Sequence, residues 1–237
     1  METIAKSKMP RIERGRTEIV VPHEGSEIIF DYLSYGCETY FHAGKRIIEQ
    51  GMNVPTGDQM ASLLYFFYYE GVRKWLDDIT DQMDDWLWVF NRNLWTREGV
   101  YVVQDSEAIG LSQQLNQTDL EKMLEGGKDL NGIRFSKDGR VRFASKRTYQ
   151  LEEHSPESLT KDGFIVASYG IEGAEKLGKV SAIFGNKPCI YGLKTRKPEQ
   201  TLSVLDDDGS PGGGRFRVRC DFFDGNHRFG HAFGVLK

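Results

Sequence analysis

The sequence has only three cysteines in 237 residues, and their spacing excludes two kinds of site. Cys37, Cys189 and Cys220 are an odd number of widely separated thiols, so they do not form the disulfide framework of a small secreted protein. No C-x-x-C pair is present to begin a zinc-binding knuckle. We therefore expect reduced thiols, no metal site and a cytoplasmic location.

Long apolar runs and the short motifs of common enzyme classes are also missing. No stretch approaches the 18 apolar residues that a membrane-spanning helix needs, so we expect no membrane partner. Residues 1–16 carry five lysines and arginines without an apolar core after them. This pattern excludes a secretory signal peptide and predicts a flexible basic tail over residues 1–15. No kinase, P-loop, hydrolase-elbow or zincin motif occurs, and the sequence predicts no cofactor.

Charge of one sign does not dominate the chain. Thirty-one basic and 35 acidic residues give a net charge of −4, which excludes a globally cationic coat for nucleic acid but leaves room for a local basic patch. Hydrophobic residues make up 39% and aromatic residues 12% of the sequence. That content excludes intrinsic disorder for most of the chain and indicates a globular domain.

Capping patterns and hydrophobic spacing predict about four helices. The helix starts at Thr56 and Thr118 each match a capping box, with Gln or Glu three residues later. Gly51 is a typical residue to end a helix over 39–50. Glu172–Phe184 is a further helix, and Ser155 followed by proline predicts the start of a short one.

Alternating or short apolar runs predict the strands. Phe164–Ala167 is interpreted as a buried strand, and with the helix after it and a strand at Cys189–Leu193 it predicts one strand–helix–strand unit. Several antiparallel hairpins complete the expected α+β fold. We expect a main body over 16–193, a mobile Gly- and Asp-rich loop over 194–214, and a C-terminal hairpin over 215–237 that packs on the body.

The C-terminal hairpin brings a thiol and imidazoles together. With a two- or four-residue turn, Cys220 shares one face with His227 and His231. A nucleophilic Cys220 with His231 or His227 as its base is one hypothesis, since a nearby imidazolium stabilises a thiolate. A buried core cysteine with a hydrogen-bonded histidine is the other. The two histidines are too far apart along a strand to bind one metal ion.

Arginines occupy the faces of two predicted hairpins opposite the apolar residues. In the first hairpin a three-residue loop over 137–139 turns Ile133, Phe135, Val141 and Phe143 inward. The arginines predicted to point outward in the two hairpins are Arg134, Arg140, Arg142, Arg215, Arg217 and Arg219. Residues 131–147 contain six basic residues and one acid, and arginine forks bind phosphates well. A solvated sheet face or a contact between copies is the alternative.

Three further patterns favour structure over chemistry. The acidic run from Asp77 to Asp85 is interpreted as a solvated helix face that can also meet the arginine face of another copy. Gly170 and Gly173 lack the remaining glycines of a dinucleotide-binding loop. Asp206, Asp208 and Ser210 lack the rest of a calcium-binding loop, so they are assigned to the mobile loop.

These observations favour a binding or assembly protein over an enzyme. Its expected partner is nucleic acid or another polyanion at the arginine faces, or other copies of the same chain. The alternative is a Cys/His-dependent hydrolase or transferase that uses Cys220 as nucleophile. Access of solvent to Cys220 distinguishes the two, because a nucleophile must reach its substrate.

Overall fold

The structure is a computed structural model that describes residues 11–12, 18–31, 34–69, 86–104, 114–185, 187–207, 214–222 and 230–236. Five helices and fourteen strands lie in these ranges, which confirms the predicted α+β class. The acidic run at 77–85, residues 208–213 of the predicted loop, His227 and most of the predicted N-terminal tail lie outside the described residues. None of the described helices has the length and apolar character to cross a membrane.

The elements are numbered in chain order. The helices are α1 (Tyr40–Glu49), α2 (Gly57–Tyr69), α3 (Gln117–Leu124), α4 (Pro156–Leu159) and α5 (Gly163–Ile183). The first seven strands are β1 (Arg11–Ile12), β2 (Glu18–His23), β3 (Ser26–Asp31), β4 (Tyr35–Glu38), β5 (Leu87–Trp95), β6 (Gly99–Gln104) and β7 (Lys128–Leu130). The others are β8 (Ile133–Phe135), β9 (Val141–Ser145), β10 (Glu152–Glu153), β11 (Cys189–Tyr191), β12 (Glu199–Asp207), β13 (Phe216–Phe222) and β14 (Gly230–Ala232).

An 11-stranded sheet forms the centre of the fold. Nine strands follow the order β10-β11-β13-β12-β5-β6-β9-β8-β7, and β14 pairs with both β4 and β5. The pairs β11–β13 and β14–β5 are parallel, and the other pairs are antiparallel. Strands β1, β2 and β3 form a separate small sheet, in which Arg11–Ile12 of the predicted N-terminal tail pair with β2.

Both faces of the central sheet are covered. All nine residues of β5 are buried. Leu87 and Val89 belong to the core cluster that includes α2 and α5, whereas Trp88 and Phe90 pack in a second cluster with α1. A third cluster joins α3 to β6 and β9. Because both faces are covered, the first four residues of this strand, Leu87 to Phe90, are apolar in consecutive positions, and the polar residues that follow them are buried as well.

Two predicted helix ends are confirmed in detail. The Thr56 N–H donates to Gln59 Oε1 at 2.9 Å, and the Gln59 N–H donates to Thr56 Oγ1 at 3.3 Å, which forms the capping box. Helix α1 is capped by Thr39, and Gly51 follows it with φ of 78°. A positive φ carries little strain for glycine because it has no Cβ.

The predicted cap at Thr118 is wrong. Asn116 caps α3, because its Oδ1 accepts hydrogen bonds from the N–H groups of Thr118 and Asp119. Asparagine is at least as good an N-cap as threonine. Glu121, the expected partner of Thr118, bonds instead to Arg134 and to the hydroxyl of Tyr101.

The strand predicted at Phe164–Ala167 is also wrong, and with it the strand–helix–strand unit. These residues form the first turns of α5, which Asp162 caps by accepting from the N–H groups of Phe164 and Ile165. A short run in which every residue is buried fits a strand and a buried helix equally well. The deciding signal is the aspartate before the run, in the N-cap position.

The C-terminal residues complete the sheet; they do not form a loop and a separate hairpin. Residues 199–207 of the predicted loop form β12, which lies between β13 and β5. Strand β13 has β11 on one edge and β12 on the other. A strand has two edges for pairing. Strand β14 pairs with β4 and β5 and not with β13, so the predicted hairpin is wrong.

A break inside α5 lies against a buried ion pair. Gly170 has φ of 70° and ψ of 175°, which interrupts the helix. The Arg142 guanidinium bonds to both carboxylate oxygens of Asp58 at 3.0 and 2.8 Å and to the carbonyl of Ala167 at 3.2 Å. Asn91 Nδ2 bonds to the carbonyl of Ser168 at 3.1 Å. The two side chains thus satisfy carbonyls that the break deprives of helical partners.

Removing the arginine of this pair should strongly destabilise the protein. The Arg142 side chain is 8% exposed and that of Asp58 17% exposed, so Arg142→Met leaves a nearly buried carboxylate without its partner. We expect a loss of about 3–5 kcal/mol in the free energy of unfolding, measured by chemical denaturation. Arg134→Met is the matched control, because its ion pair with Glu121 is about one-third exposed and should cost about 0.2–1 kcal/mol. Equal losses in the two variants would contradict this assignment.

Candidate functional site

Cys220 lies in the core and not in a cleft. Its side chain is 0% exposed, and its Sγ is 3.4 Å from Ser203 Oγ on the neighbouring strand. Burial raises the pKa of the Cys220 thiol, with a smaller contribution from Asp221, so the thiol stays protonated. A catalytic cysteine needs a thiolate that substrate can reach. The burial of Cys220 therefore argues against the nucleophile hypothesis; it fits the core interpretation in its burial, but Ser203 and not a histidine contacts the thiol.

The proposed base of that hypothesis is placed by other elements. His231 lies on β14, its backbone N–H donates to the carbonyl of Trp86, and its Nδ1 is 3.2 Å from Ser34 Oγ. Gly36 lies directly against the imidazole, where a Cβ would come within 2.5 Å of the ring. The third residue, His227, lies outside the described residues.

The arginines of β13 alternate with buried residues as predicted, but they contact carboxylates of this chain. Arg217 binds Asp206 through two nitrogens, at 2.8 and 3.2 Å. Arg219 lies 3.9 Å from Asp206 and 3.3 Å from Asp221, with its guanidinium over the rings of Trp86, Tyr191 and Phe222. Arg215 lies 3.5 Å from Glu153. Asp206, which the sequence assigned to a loop, is thus the shared partner of Arg217 and Arg219.

The first arginine hairpin has a different register from the predicted one. Phe135 lies opposite Arg142, and Arg134 lies opposite Phe143. Arg142 therefore points into the core, and the prediction that it faces outward is wrong. The physical reason is Asp58, which lies on α2 and gives a buried guanidinium its counter-charge. Arg140 is exposed, as predicted.

Most of the predicted phosphate-binding arginines are therefore matched by acids. Five of the six form an ion pair within the described residues, and only Arg140 has none there. A carboxylate beside a guanidinium occupies some of its five N–H donors and repels an approaching phosphate. The two arginine faces do not make the contiguous cationic surface that the strand pattern predicted.

A polar cleft of about 490 Å³ lies elsewhere, in the segment between β9 and α5. Cationic and hydroxyl side chains dominate it. It is lined by Arg147, Thr148, Tyr149, Gln150, Glu153, His154, Ser155, Ser158, Lys161 and Asp162. Its volume lies within the range of about 300–1,000 Å³ that is typical of small-ligand pockets.

His154 is held in one orientation at this cleft. Its Nε2 is 2.8 Å from the carbonyl oxygen of Gln150, and its Nδ1 is 3.3 Å from Ser158 Oγ. A carbonyl only accepts hydrogen bonds, so Nε2 carries the proton and Nδ1 of the neutral ring is an acceptor. Asp162 Oδ2 lies 3.8 Å from Nε2. Ser158 Oγ also donates to the carbonyl oxygen of Ser155 at 3.0 Å, so this carbonyl and His154 Nδ1 are alternative acceptors for the one hydroxyl proton.

Asp162 and Tyr149 form the buried side of the cleft. Asp162 Oδ1 caps α5, and its Oδ2 accepts from the N–H of Gln150 at 2.8 Å. Burial raises the pKa of Asp162, although its hydrogen bonds and His154 oppose the shift. Burial, together with the charge of Asp162, raises the pKa of Tyr149 to about 12. The Tyr149 phenol therefore remains a hydrogen-bond donor at neutral pH.

Two cations at this cleft form no ion pair within the part of the chain that the structure describes. Arg147 and Lys161 are exposed, and neither has an ion-pair partner among the described residues. Glu153, the exposed acid of the cleft, lies 3.3 Å from Lys187 and 3.5 Å from Arg215. Within the described residues, Arg147 and Lys161 are therefore the cations of the cleft that form no ion pair, whereas its two acids lie beside other groups of this chain.

Part of this site could be predicted from the sequence. The helix start at Ser155 is confirmed, and Ser155 and Ser158 form a reciprocal capping box. His154, Ser158 and Asp162 follow one another at intervals of four residues, but that spacing alone does not reveal that the chain turns between them. Only Arg147 belonged to the basic segment that the sequence singled out.

No family model, no curated protein and no solved structure matches this chain. Within the described residues, no group of three or more histidine, cysteine, aspartate or glutamate side chains is placed to bind a metal ion.

The thiol of Cys220 should be unreactive in the folded protein. In a variant with Cys37→Ser and Cys189→Ser, Cys220 is the single thiol, and its burial and raised pKa should prevent reaction with Ellman's reagent at pH 8. Full reaction is expected after unfolding in guanidinium chloride, which serves as the positive control. Rapid stoichiometric reaction of the native protein would restore the nucleophile hypothesis.

Proposed function

We propose that this protein binds a small anionic ligand, one that carries a phosphate or carboxylate group, in the cleft formed by residues 147–162. The observation that carries the proposal is the pair of exposed cations without counter-charges, Arg147 and Lys161. An anion placed between them supplies the missing negative charge. Hydrogen bonds from charged donors to such a group typically contribute about 1.5–3 kcal/mol each.

Neutral donors in the same cleft support this ligand class. The hydroxyls of Tyr149 and Ser158 line it, and Tyr149 keeps its proton at neutral pH. The two acids of the cleft should disturb a bound anion only weakly. Glu153 is paired with Lys187 and Arg215, and the Asp162 side chain is only 2% exposed. A volume of about 490 Å³ suits a small molecule and not a nucleic-acid strand.

Neutralising the two cations should abolish binding. Inorganic phosphate and citrate are the probes, and binding is measured by isothermal titration and by the shift in melting temperature. We expect Arg147→Gln and Lys161→Gln each to weaken binding by about 10- to 100-fold. The matched control is Arg140→Gln, an exposed arginine that does not line the cleft, and its affinity should equal that of the unaltered protein.

Two outcomes contradict the proposal. If neither probe binds at low ionic strength, the cleft is not an anion site. If Arg140→Gln weakens binding as much as Arg147→Gln, the anion is held by a broad basic surface of the kind that the sequence predicted. The second outcome should be accompanied by salt-dependent binding of a single-stranded oligonucleotide.

The contact between Ser158 and His154 favours a second candidate function, the hydrolysis of an anionic ester. Ser158 Oγ would attack the carbonyl carbon while its proton passes to His154 Nδ1. As the bond to the leaving oxygen breaks, that proton passes to the leaving group, and water later releases the acyl group. Asp162, 3.8 Å from Nε2, would stabilise the charged imidazole. In this form the enzyme alternative depends on Ser158 and not on Cys220.

Labelling with a fluorophosphonate probe tests the second candidate. We expect a mass increase on the peptide that contains Ser158, lost in Ser158→Ala and in His154→Gln. Ser155→Ala is the matched control, because it removes the other hydroxyl of the same capping box and should cost a similar 0.5–2 kcal/mol of stability. If Ser155→Ala abolishes labelling as completely as Ser158→Ala, the effect is structural. Absence of labelling in the unaltered protein excludes this function.

A further inference from the structure

We infer that the interior of this protein holds a cluster of ordered water molecules between strand β5 and the break in helix α5. The basis is a group of buried polar atoms for which the described residues provide no partner. They are Asn91 Oδ1, Asn93 Oδ1, Ser168 Oγ and Tyr169 OH. All four residues are 0% exposed. This site is separate from the cleft and does not depend on the proposed function.

The four atoms lie on the same side of the sheet. Leu87, Val89 and Trp95 of β5 belong to the core cluster that includes Tyr169. Because side chains alternate along a strand, Asn91 and Asn93 point to this side as well. Asn91 Nδ2 bonds to the carbonyl of Ser168, which brings β5 directly against the residues before Gly170.

Polar contacts continue across three neighbouring strands. Asn93 Nδ2 donates to Ser203 Oγ at 2.9 Å, and Ser203 Oγ is 3.4 Å from Cys220 Sγ. Tyr169 lies close enough to Cys220 for electrostatic interaction between the two groups. The polar atoms therefore lie on four neighbouring elements, β5, β12, β13 and α5, inside the apolar core.

Exchanging the amide oxygen and nitrogen of Asn91 and Asn93 does not give every polar atom of the two amides a hydrogen-bond partner. In the present orientation each Nδ2 has an acceptor and each Oδ1 lacks a donor. A flipped Asn91 would face the carbonyl of Ser168 with its oxygen, and a flipped Asn93 would leave its nitrogen without an acceptor. In either orientation, one polar atom of each amide needs another partner.

Water is the ligand that fits these four buried polar atoms. The two carbonyl-type oxygens need donors, whereas the two hydroxyls can donate or accept, and a water molecule offers two of each. A buried polar atom without a partner lowers the folding equilibrium constant on the order of ten- to a hundredfold. Four such atoms without hydrogen-bond partners would remove most of the stability of a domain of this size. Buried waters commonly satisfy groups of this kind.

The sign of a stability change tests the inference. If the Tyr169 hydroxyl binds water, Tyr169→Phe should raise the unfolding equilibrium constant by about five- to tenfold. If the hydroxyl has no partner, the same variant should be as stable as the unaltered protein or more stable. Tyr101→Phe is the control, because the Tyr101 hydroxyl has protein partners in Glu121 and Gln117 and its loss should destabilise.

Water relaxation provides an independent count. Magnetic relaxation dispersion of ¹⁷O should detect long-lived internal water, and the signal should fall in Tyr169→Phe and in Asn91→Leu but not in Tyr101→Phe. If Asn91→Leu fails to fold, Tyr169→Phe alone decides the result. An unchanged relaxation signal together with a neutral or stabilising Tyr169→Phe would overturn the inference.

Discussion

The buried ion pair between Asp58 and Arg142 joins three parts of the molecule that are distant in sequence. Asp58 is in the first turn of α2, Arg142 is on β9, and the guanidinium also binds the carbonyl of Ala167 beside the break at Gly170. A charge in the core is tolerated only with a counter-charge and satisfied hydrogen bonds. The pair therefore fixes the position of both long helices on the sheet and the register of the β8–β9 hairpin.

The same requirement governs the other arginines and explains where positive charge remains available. Arg217 and Arg219 lie over Asp206, a 0% exposed carboxylate on the central strand β12, so this acidic strand and the arginine row depend on each other. Once these pairs are formed, the basic groups at the cleft differ from the others because Arg147 and Lys161 form no ion pair within the described residues. An anionic ligand is therefore expected where cations form no ion pair, and not simply where arginines are numerous.

The cleft also illustrates how structure and chemistry use the same side chains. Asp162 caps α5 and lies beside His154, while Ser158 completes the capping box of α4 and contacts the same imidazole. Groups held by such contacts lose little further freedom when a ligand binds, which favours affinity. The buried asparagines of β5 are a different case, because their polar atoms serve neither a cap nor an exposed site.

Local patterns in the sequence determined the α+β class, the helices at Thr39 and Thr56, the start at Ser155 and the alternation along β13. These features depend on contacts within a few residues, such as capping bonds and side-chain periodicity. Tertiary structure decided the rest. The burial of Arg142 against Asp58 and the conversion of an expected loop into β12 both depend on partners far away in the chain. Spacing along a sequence carries no information about such partners, because charge pairing and strand pairing are set by distance in space.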